Sequence, residues 1–314
     1  MMDKDSKIYV AGHRGMVGSA VVRELRRQGY LNLVMRTHYE LDLCCQEDVE
    51  NFFAAEKPEY VFLAAARVGG ISANQDAMAG FLYDNLMMEM NVIHSAWVHG
   101  CKKLEFLGSA CVYPSTASQP ISEDSLLTAG PEKSHEAYAL AKIAGLKYCE
   151  YLNRDCGVPY ISVMPNNLYG PNDNYHPAYS HVLPALIRRF HEAKRDQLPS
   201  VTCWGDGSPR REFLYVDDLA DLCVFLMNHY SGSETVNAGT GKDLTIRELT
   251  ELIADVVGYT GQICWDTSKP SGAPRRLLDV SRADSLGWSA RTELADGIRL
   301  TYADFQQQPL REDR

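Results

Sequence analysis

The residues whose types and spacing could do chemistry lie in two short segments. In Tyr138-Ala-Leu-Ala-Lys142 a tyrosine and a lysine stand four residues apart, which on a helix puts them on one face, a turn apart. An ammonium beside a phenol favours the phenolate, so Lys142 is expected to draw the Tyr138 pKa down towards neutrality. Ser109, in Gly108-Ser109-Ala110-Cys111-Val112-Tyr113-Pro114, offers a hydroxyl from a second segment. The three groups together could give a proton to, or take one from, a carbonyl or alcohol oxygen. Tyrosines and lysines also pair on many surface helices, so the motif takes its meaning from the elements that position it.

The first such element is near the N-terminus. Ile8-Tyr9-Val10-Ala11 reads as a short buried strand running into Gly12-His13-Arg14-Gly15-Met16-Val17-Gly18, with a helical stretch from Ser19 to Gln28. Glycines at 12, 15 and 18 let the backbone turn sharply and let a pyrophosphate approach the helix N-terminus, where N–H groups and the dipole favour anions. The spacing is G-x-x-G-x-x-G rather than the commoner G-x-G-x-x-G. After the second strand, Leu31 to Met35, the chain continues Arg36-Thr37-His38 with no acid to hold a ribose 2′-hydroxyl. Arg14 and Arg36 instead suit a 2′-phosphate, which points to NADP(H) rather than NAD. Two solvated surface arginines are the alternative.

Further strands are expected at Tyr60 to Ala64, Leu104 to Gly108 and Tyr160 to Met164, with helices over Phe81–His99 and His135–Cys156. Alternating strands and one-sided helices imply an α/β fold with a Rossmann-like doubly wound parallel sheet. Ser109 then falls just past a strand's C-terminal end, where such sheets bind ligands. Beyond Pro165 the texture becomes turn-rich, and the chain reads as a smaller C-terminal substrate-binding lobe. The expected division is a cofactor domain over 1–165, to which 211–240 returns, and a lobe of 166–210 and 241–314. The polar tail from Gln306 to Arg314 is expected to fray.

Bulk properties set limits. The 314 residues suffice for one large α/β unit or two modest domains. A net charge of −10 and a pI near 5.4 argue against general nucleic-acid binding. No apolar run approaches the ~18 residues of a membrane span, and no signal-peptide core follows Met1 to Lys7. The nine cysteines form no C-x-x-C pair, as expected of reduced thiols in a cytoplasmic protein. There is no metal-ligand motif, and no metal is expected.

The glycine loop, Ser109, Tyr138 and Lys142 together resemble the extended short-chain dehydrogenase/reductases. The resemblance narrows to the bifunctional epimerase/reductases of GDP-4-keto-6-deoxy-D-mannose. It runs from about Tyr9 to Trp288. Its specific segments are Ala11 to Ser19, Ala64-Ala65-Ala66-Arg67-Val68-Gly69-Gly70-Ile71, Ser180 to Leu186, Ser268-Lys269-Pro270 and Pro274 to Asp279. The resemblance implies NADPH as cofactor, held by Gly12, Arg14, Gly15, Met16, Val17, Gly18, Arg36, Leu107, Gly108, Lys142, Pro165 and His181. It implies Cys111 and His181 as the pair that moves protons at C3 and C5, beside Ser109, Tyr138 and Lys142. On the substrate side it implies Asn167, Arg189, Trp204, Arg211 and Arg276 around the GDP end. A homodimer through the two long helices is implied as well.

Each assignment has a plainer rival. For Cys111 the rival is a small buried residue, which its place two residues after Ser109 disfavours, and for His181 a helix-start histidine bonded to a loop carbonyl, which the resemblance disfavours; Trp204 reads equally as packing. Positive charge near Cys111 would supply the thiolate that a base needs. The chain departs from its relatives at Ala110, where a second Ser is common, and at Ser271, where Asp is common. Arg276 stands for a common Lys, and His38 for an Arg. Sibling activities on GDP-colitose or GDP-heptose precursors, or an NADP(H)-sensing protein without chemistry, are the other functional readings. The intact Ser109, Tyr138 and Lys142 speak against the last.

Overall fold

The computed structural model describes residues 1–177, 179–269 and 273–307, with only the backbone described at 71–73. The departure at Ser271, Pro270 of the Ser268-Lys269-Pro270 segment, and the tail beyond 307 lie outside the described residues. Gln306 and Gln307 themselves belong to a helix.

In the first half of the chain, short apolar runs bounded by turn residues form strands β1 (Ile8–Ala11), β2 (Leu33–Val34), β3 (Tyr60–Leu63), β4 (Lys103–Leu107) and β5 (Ile161–Pro165). The helices between them are α1 (Met16–Arg27), α2 (Gln46–Glu56), α3 (Ile71–Asp76), α4 (Met78–Val98) and α5 (Glu136–Cys156). Every pairing in this set is parallel. Parallel neighbours need crossover helices, which cover both faces of the sheet. Accordingly β1, β4 and β5 are buried along their whole length. Strand positions agree with the sequence to within a residue or two. The first helix starts three residues earlier than expected, at Met16, because extended Gly15 already caps it. Helix α2 has no counterpart in the sequence reading, although the residues it buries, Val49, Phe52 and Phe53, stand at the helical spacing i, i+3, i+4.

The second half supplies β6 (Asn167–Tyr169), β7 (Ser200–Trp204), β8 (Arg210–Arg211), β9 (Phe213–Tyr215), β10 (Val236–Ala238), β11 (Leu244–Thr245), β12 (Gln262–Asp266) and β13 (Arg275–Arg276). Its helices are α6 (Val182–Arg195), α7 (Val216–His229), α8 (Ile246–Val257), α9 (Ser281–Ser285) and α10 (Leu294–Gln307). Strand β10 adds to the main sheet beside β5, giving the order β10-β5-β4-β3-β1-β2. Helix α7 packs on α1 on one face, while α2, α4 and α5 cover the other. This is a doubly wound, Rossmann-like sheet. Strand β9 stays outside it, paired with β6. A third apolar core joins residues of α6, α8, α10, β7 and β9, including Phe190, Ile253 and Phe305. Strand β8 lies between β11 and β13 and so brings Arg276 beside Arg211.

Candidate active site

Ser109 follows the C-terminal end of β4 by two residues. It caps a 3₁₀ turn over Ala110–Val112, its hydroxyl accepting from the Cys111 N–H at 3.4 Å. The same hydroxyl hydrogen-bonds the Cys111 and Tyr138 side chains. Helix α5 carries Tyr138 and Lys142 on one face, with the Lys142 ammonium 5.7 Å from the Tyr138 ring centroid. Lys142 donates to the Leu107 carbonyl at 2.9 Å and stands 3.1 Å from Glu89 Oε1. The structure thus brings Ser109, Cys111, Tyr138 and Lys142 into one cluster.

The ionisation states differ from the sequence expectation. Burial, with the Cys111 and Glu89 charges adding, pushes the Tyr138 phenol well above its usual range, and the Ser109 hydrogen bond only partly opposes this. Lys142 does not draw it down, because that ammonium is engaged with Glu89. Burial likewise pushes the Cys111 thiol up to about 11, against Ser109, Lys142 and Arg276. His181, the N-cap residue of α6, is exposed and is shifted the other way. Desolvation by the surrounding protein and the nearby His135 both lower its pKa. At neutral pH these groups are therefore a phenol, a thiol and a neutral imidazole: two proton donors and one acceptor.

The glycine loop has the shape a dinucleotide diphosphate needs. Gly12 has φ +82°, and a Cβ there would lie 2.7 Å from the Ala65 nitrogen. A Cβ on Gly18 would lie 2.2 Å from the Gly12 carbonyl oxygen. Gly15 caps α1 with no side chain over its end, and no acid sits in the first turn with Met16 and Val17, so the positive end of the helix faces the loop. Arg14 is exposed. Arg36 donates to Glu56 at 2.5 Å and to the Met35 carbonyl at 2.9 Å. Both arginines act on Glu40, whose carboxyl is held low chiefly by hydrogen bonds from Thr37. A 2′-phosphate placed between them fits this charge, once Arg36 shares its fork with Glu56. Leu107, Gly108 and Pro165 lie at or just past the C-terminal ends of β4 and β5.

The expected substrate residues fall into two groups. Asn167 donates to the Glu212 carbonyl at 2.9 Å and to Asn166 Oδ1 at 3.1 Å. Arg276 reaches Glu132 at 3.3 Å and the Ala110 and Tyr113 carbonyls at 3.5 Å, which ties it to the catalytic loop. Arg211 is held by the Arg210 carbonyl at 2.8 Å, in the field of Arg276 and Glu132. Arg189 and Trp204 form the second group. Arg189 donates to the Thr202 carbonyl at 3.1 Å, and Trp204 is 64% exposed with Lys269 5.9 Å over its ring. Among the described residues no hydrogen bond or ion pair joins them to the first group.

Two carboxylates went unremarked in the sequence. Glu89 is buried against Lys142. Glu212 is buried at a crossing of chain segments, accepting from Asn166, Thr240, Gly241 and Leu278 at 2.5–3.1 Å. A charged residue within the apolar stretch Leu86 to Met90 is the signal Glu89 leaves, and it does not name the partner; Glu212, after Arg210 and Arg211, leaves none.

Comparison with known proteins agrees with this geometry. Residues 8–239 match the NAD dependent epimerase/dehydratase family. The chain is 59% identical over 302 residues to GDP-L-fucose synthase 1 of Arabidopsis thaliana, covering 96% of this chain and 94% of that one. It is 50% identical over 308 residues to GDP-L-fucose synthase of Escherichia coli K12, covering 95% and 96%. Among solved structures, the GDP-mannoheptose C4 reductase of Campylobacter jejuni with NADP bound is similar at TM-score 0.91 and 39% identity, covering 98% of this chain and all of that one, 100%.

Proposed function

The chain belongs to the NAD dependent epimerase/dehydratase family, and from that premise we propose that it acts as a GDP-L-fucose synthase. It epimerises GDP-4-keto-6-deoxy-D-mannose at C3 and C5 and then reduces the 4-ketone with NADPH. The observation that carries this is the Cys111 thiol hydrogen-bonded into the Ser109–Tyr138 cluster. A simple reductase has no use for a second proton-moving group at that place.

The C–H bonds at C3 and C5 flank the ketone, so loss of either proton gives an enolate whose charge rests on the 4-oxygen. Ser109 and Tyr138 donate towards that oxygen and stabilise it. Cys111 and His181 move the protons: one takes a proton from carbon, and the other returns one to the opposite face. Because Cys111 rests as a thiol and His181 as a neutral base, either the thiol first passes its proton to the imidazole, so that Cys111 takes the carbon proton and His181 returns one, or His181 takes the carbon proton and Cys111 returns one. NADPH, when bound, supplies the hydride for C4. Tyr138 gives its phenolic proton to the 4-oxygen, and Lys142 holds the ribose. The glycine turn of Gly12, Gly15 and Gly18 takes the diphosphate and Arg14 with Arg36 takes the 2′-phosphate. Asn167, Arg211 and Arg276 hold the sugar diphosphate, with Arg189 and Trp204 towards its nucleoside end.

The same proposal divides the chain into a cofactor half, 1–165 with 211–240, and a sugar-nucleotide half. The attachment of β10 and α7 to the main sheet supports that division. It also includes a homodimer, supported by exposed Tyr83, Trp97, Val98, Leu140 and Tyr151 on α4 and α5.

The test is turnover of GDP-4-keto-6-deoxy-D-mannose with NADPH in D₂O. GDP-L-fucose carrying deuterium at C3 and C5 is expected. A reduced sugar without deuterium would remove Cys111 and His181 from catalysis, and unchanged substrate would refute the assignment.

A further inference from the structure

Glu89 has no part in the catalytic steps proposed above. It lies in mid-α4, wholly shielded from solvent. Its carboxylate meets Lys142 of α5 at 3.1 Å, and the two side chains are 0% and 2% exposed. Beyond this ion pair, neither oxygen has a hydrogen-bond partner among the described residues. A carboxylate placed in a helix–helix seam without donors around it is costly, unless a cation faces it. The seam is shaped to admit it. A Cβ on Gly145 would come within 2.8 Å of Glu89 Oε2 and 2.7 Å of the Phe106 ring, so only a glycine lets α5 lie this close.

The Lys142 ammonium has three N–H donors. The Leu107 carbonyl takes one, and Glu89 draws a second. The Phe106 ring, 4.7 Å away, closes a further direction. One donor is left for the site. We propose that Glu89 is a positioning residue for the reduction step: as the buried counter-charge of Lys142, it aims that remaining N–H at the cofactor and keeps Tyr138 in its proton-donating form. The proposal rests on the reductase reading above.

A reductase needs Tyr138 as an acid. An unopposed ammonium beside the ring would favour the phenolate, which takes a proton instead of giving one. Glu89 offsets that charge where it matters. The titratable groups facing the pair are Tyr138 and Cys149 on α5, with Cys111 beyond them on the catalytic loop. Burial, reinforced by Glu89, raises the Cys149 thiol, so it brings no charge of its own. The pair therefore sets the local field.

Glu89→Gln keeps the side chain's size and removes the charge. The dissociation constant for NADPH, read by nicotinamide fluorescence without sugar nucleotide, should rise about tenfold. The alkaline limb of kcat for NADPH oxidation should move down by about one pH unit, with KM for the sugar nucleotide unchanged. A merely structural glutamate would lower the melting temperature and leave the limb where it was. An unchanged NADPH affinity, or a limb that does not move or moves up, overturns the proposal. If Glu89→Gln does not fold, Glu89→Asp keeps the charge but withdraws it by one methylene. It should show both shifts in smaller measure, and their absence is equally fatal. Failure of the wild-type enzyme to oxidise NADPH with GDP-4-keto-6-deoxy-D-mannose would instead refute the underlying activity, and the fluorescence comparison would still decide the role of Glu89.

Discussion

Replacing Glu212 by Gln tests how the sugar-nucleotide side is held together. One oxygen of this fully buried carboxylate accepts from the Thr240 and Gly241 N–H groups at 2.6 and 2.7 Å. The other accepts from Asn166 Nδ2 at 2.5 Å and the Leu278 N–H at 3.1 Å. A glutamine amide keeps one oxygen and turns two N–H donors towards the remaining pair. Whichever way it flips, two protein donors lose their acceptor. Each such loss costs about 1–3 kcal/mol, so the variant should be about 2–6 kcal/mol less stable. That is a large share of the ~5–15 kcal/mol typical of a folded domain. Urea unfolding gives this number directly. The same carboxylate fixes Asn166 beside Asn167, and Leu278 two residues from Arg276. KM for the sugar nucleotide should therefore rise, while NADPH affinity, set by the glycine turn and Lys142, should not. A stability loss under ~0.5 kcal/mol, within the range of ordinary surface changes, would refute the reasoning. So would a fall in NADPH affinity as large as the rise in KM.

Other expectations follow from single contacts. Gly18→Ala places a Cβ 2.2 Å from the Gly12 carbonyl, so the turn must open; NADPH affinity should fall ~10²-fold with the far-UV spectrum unchanged, as checked by fluorescence titration. Asp173 is pushed up to about 7 by burial, with Asp304 adding and the Asn174 N–H opposing. Its folded pKa lies above the unfolded one, so it binds a proton more readily when folded; this favours the fold at pH 4 and is lost as pH rises to 7. Asp173→Asn should match the wild type near pH 4 and exceed its stability at pH 8 by on the order of 3 kcal/mol. A pH-independent difference between the two unfolding curves would rule that out. Tyr138→Phe should slow NADPH oxidation ~10²–10⁴-fold yet leave deuterium uptake at C3 and C5 measurable by NMR. Cys111→Ala should suppress that uptake first.

Local features of this chain were legible because local physics sets them. The apolar runs that became β1, β3, β4 and β5 show as short bounded segments. The turn shows because close backbone approach excludes a Cβ at Gly12 and Gly18. Tyr138 and Lys142 share a face because helix periodicity is fixed by the backbone. The candidate groups Ser109, Cys111, Tyr138 and Lys142 were therefore legible by type and position, and the structure gathers them into one cluster. Their charge states were not legible. Whether Lys142 acidifies Tyr138 depends on what else faces the ammonium, and Glu89 reaches it from a helix remote in sequence. Whether Cys111 rests as thiolate depends on how much water its neighbours exclude. The joining of Asn166, Thr240 and Leu278 through Glu212 likewise requires segments that meet only after β10 has entered the sheet and β13 has paired with β8. Residue type and spacing determine which groups are capable of the chemistry. Desolvation and counter-charge act through space between distant segments, so the tertiary structure alone decides which form each group holds.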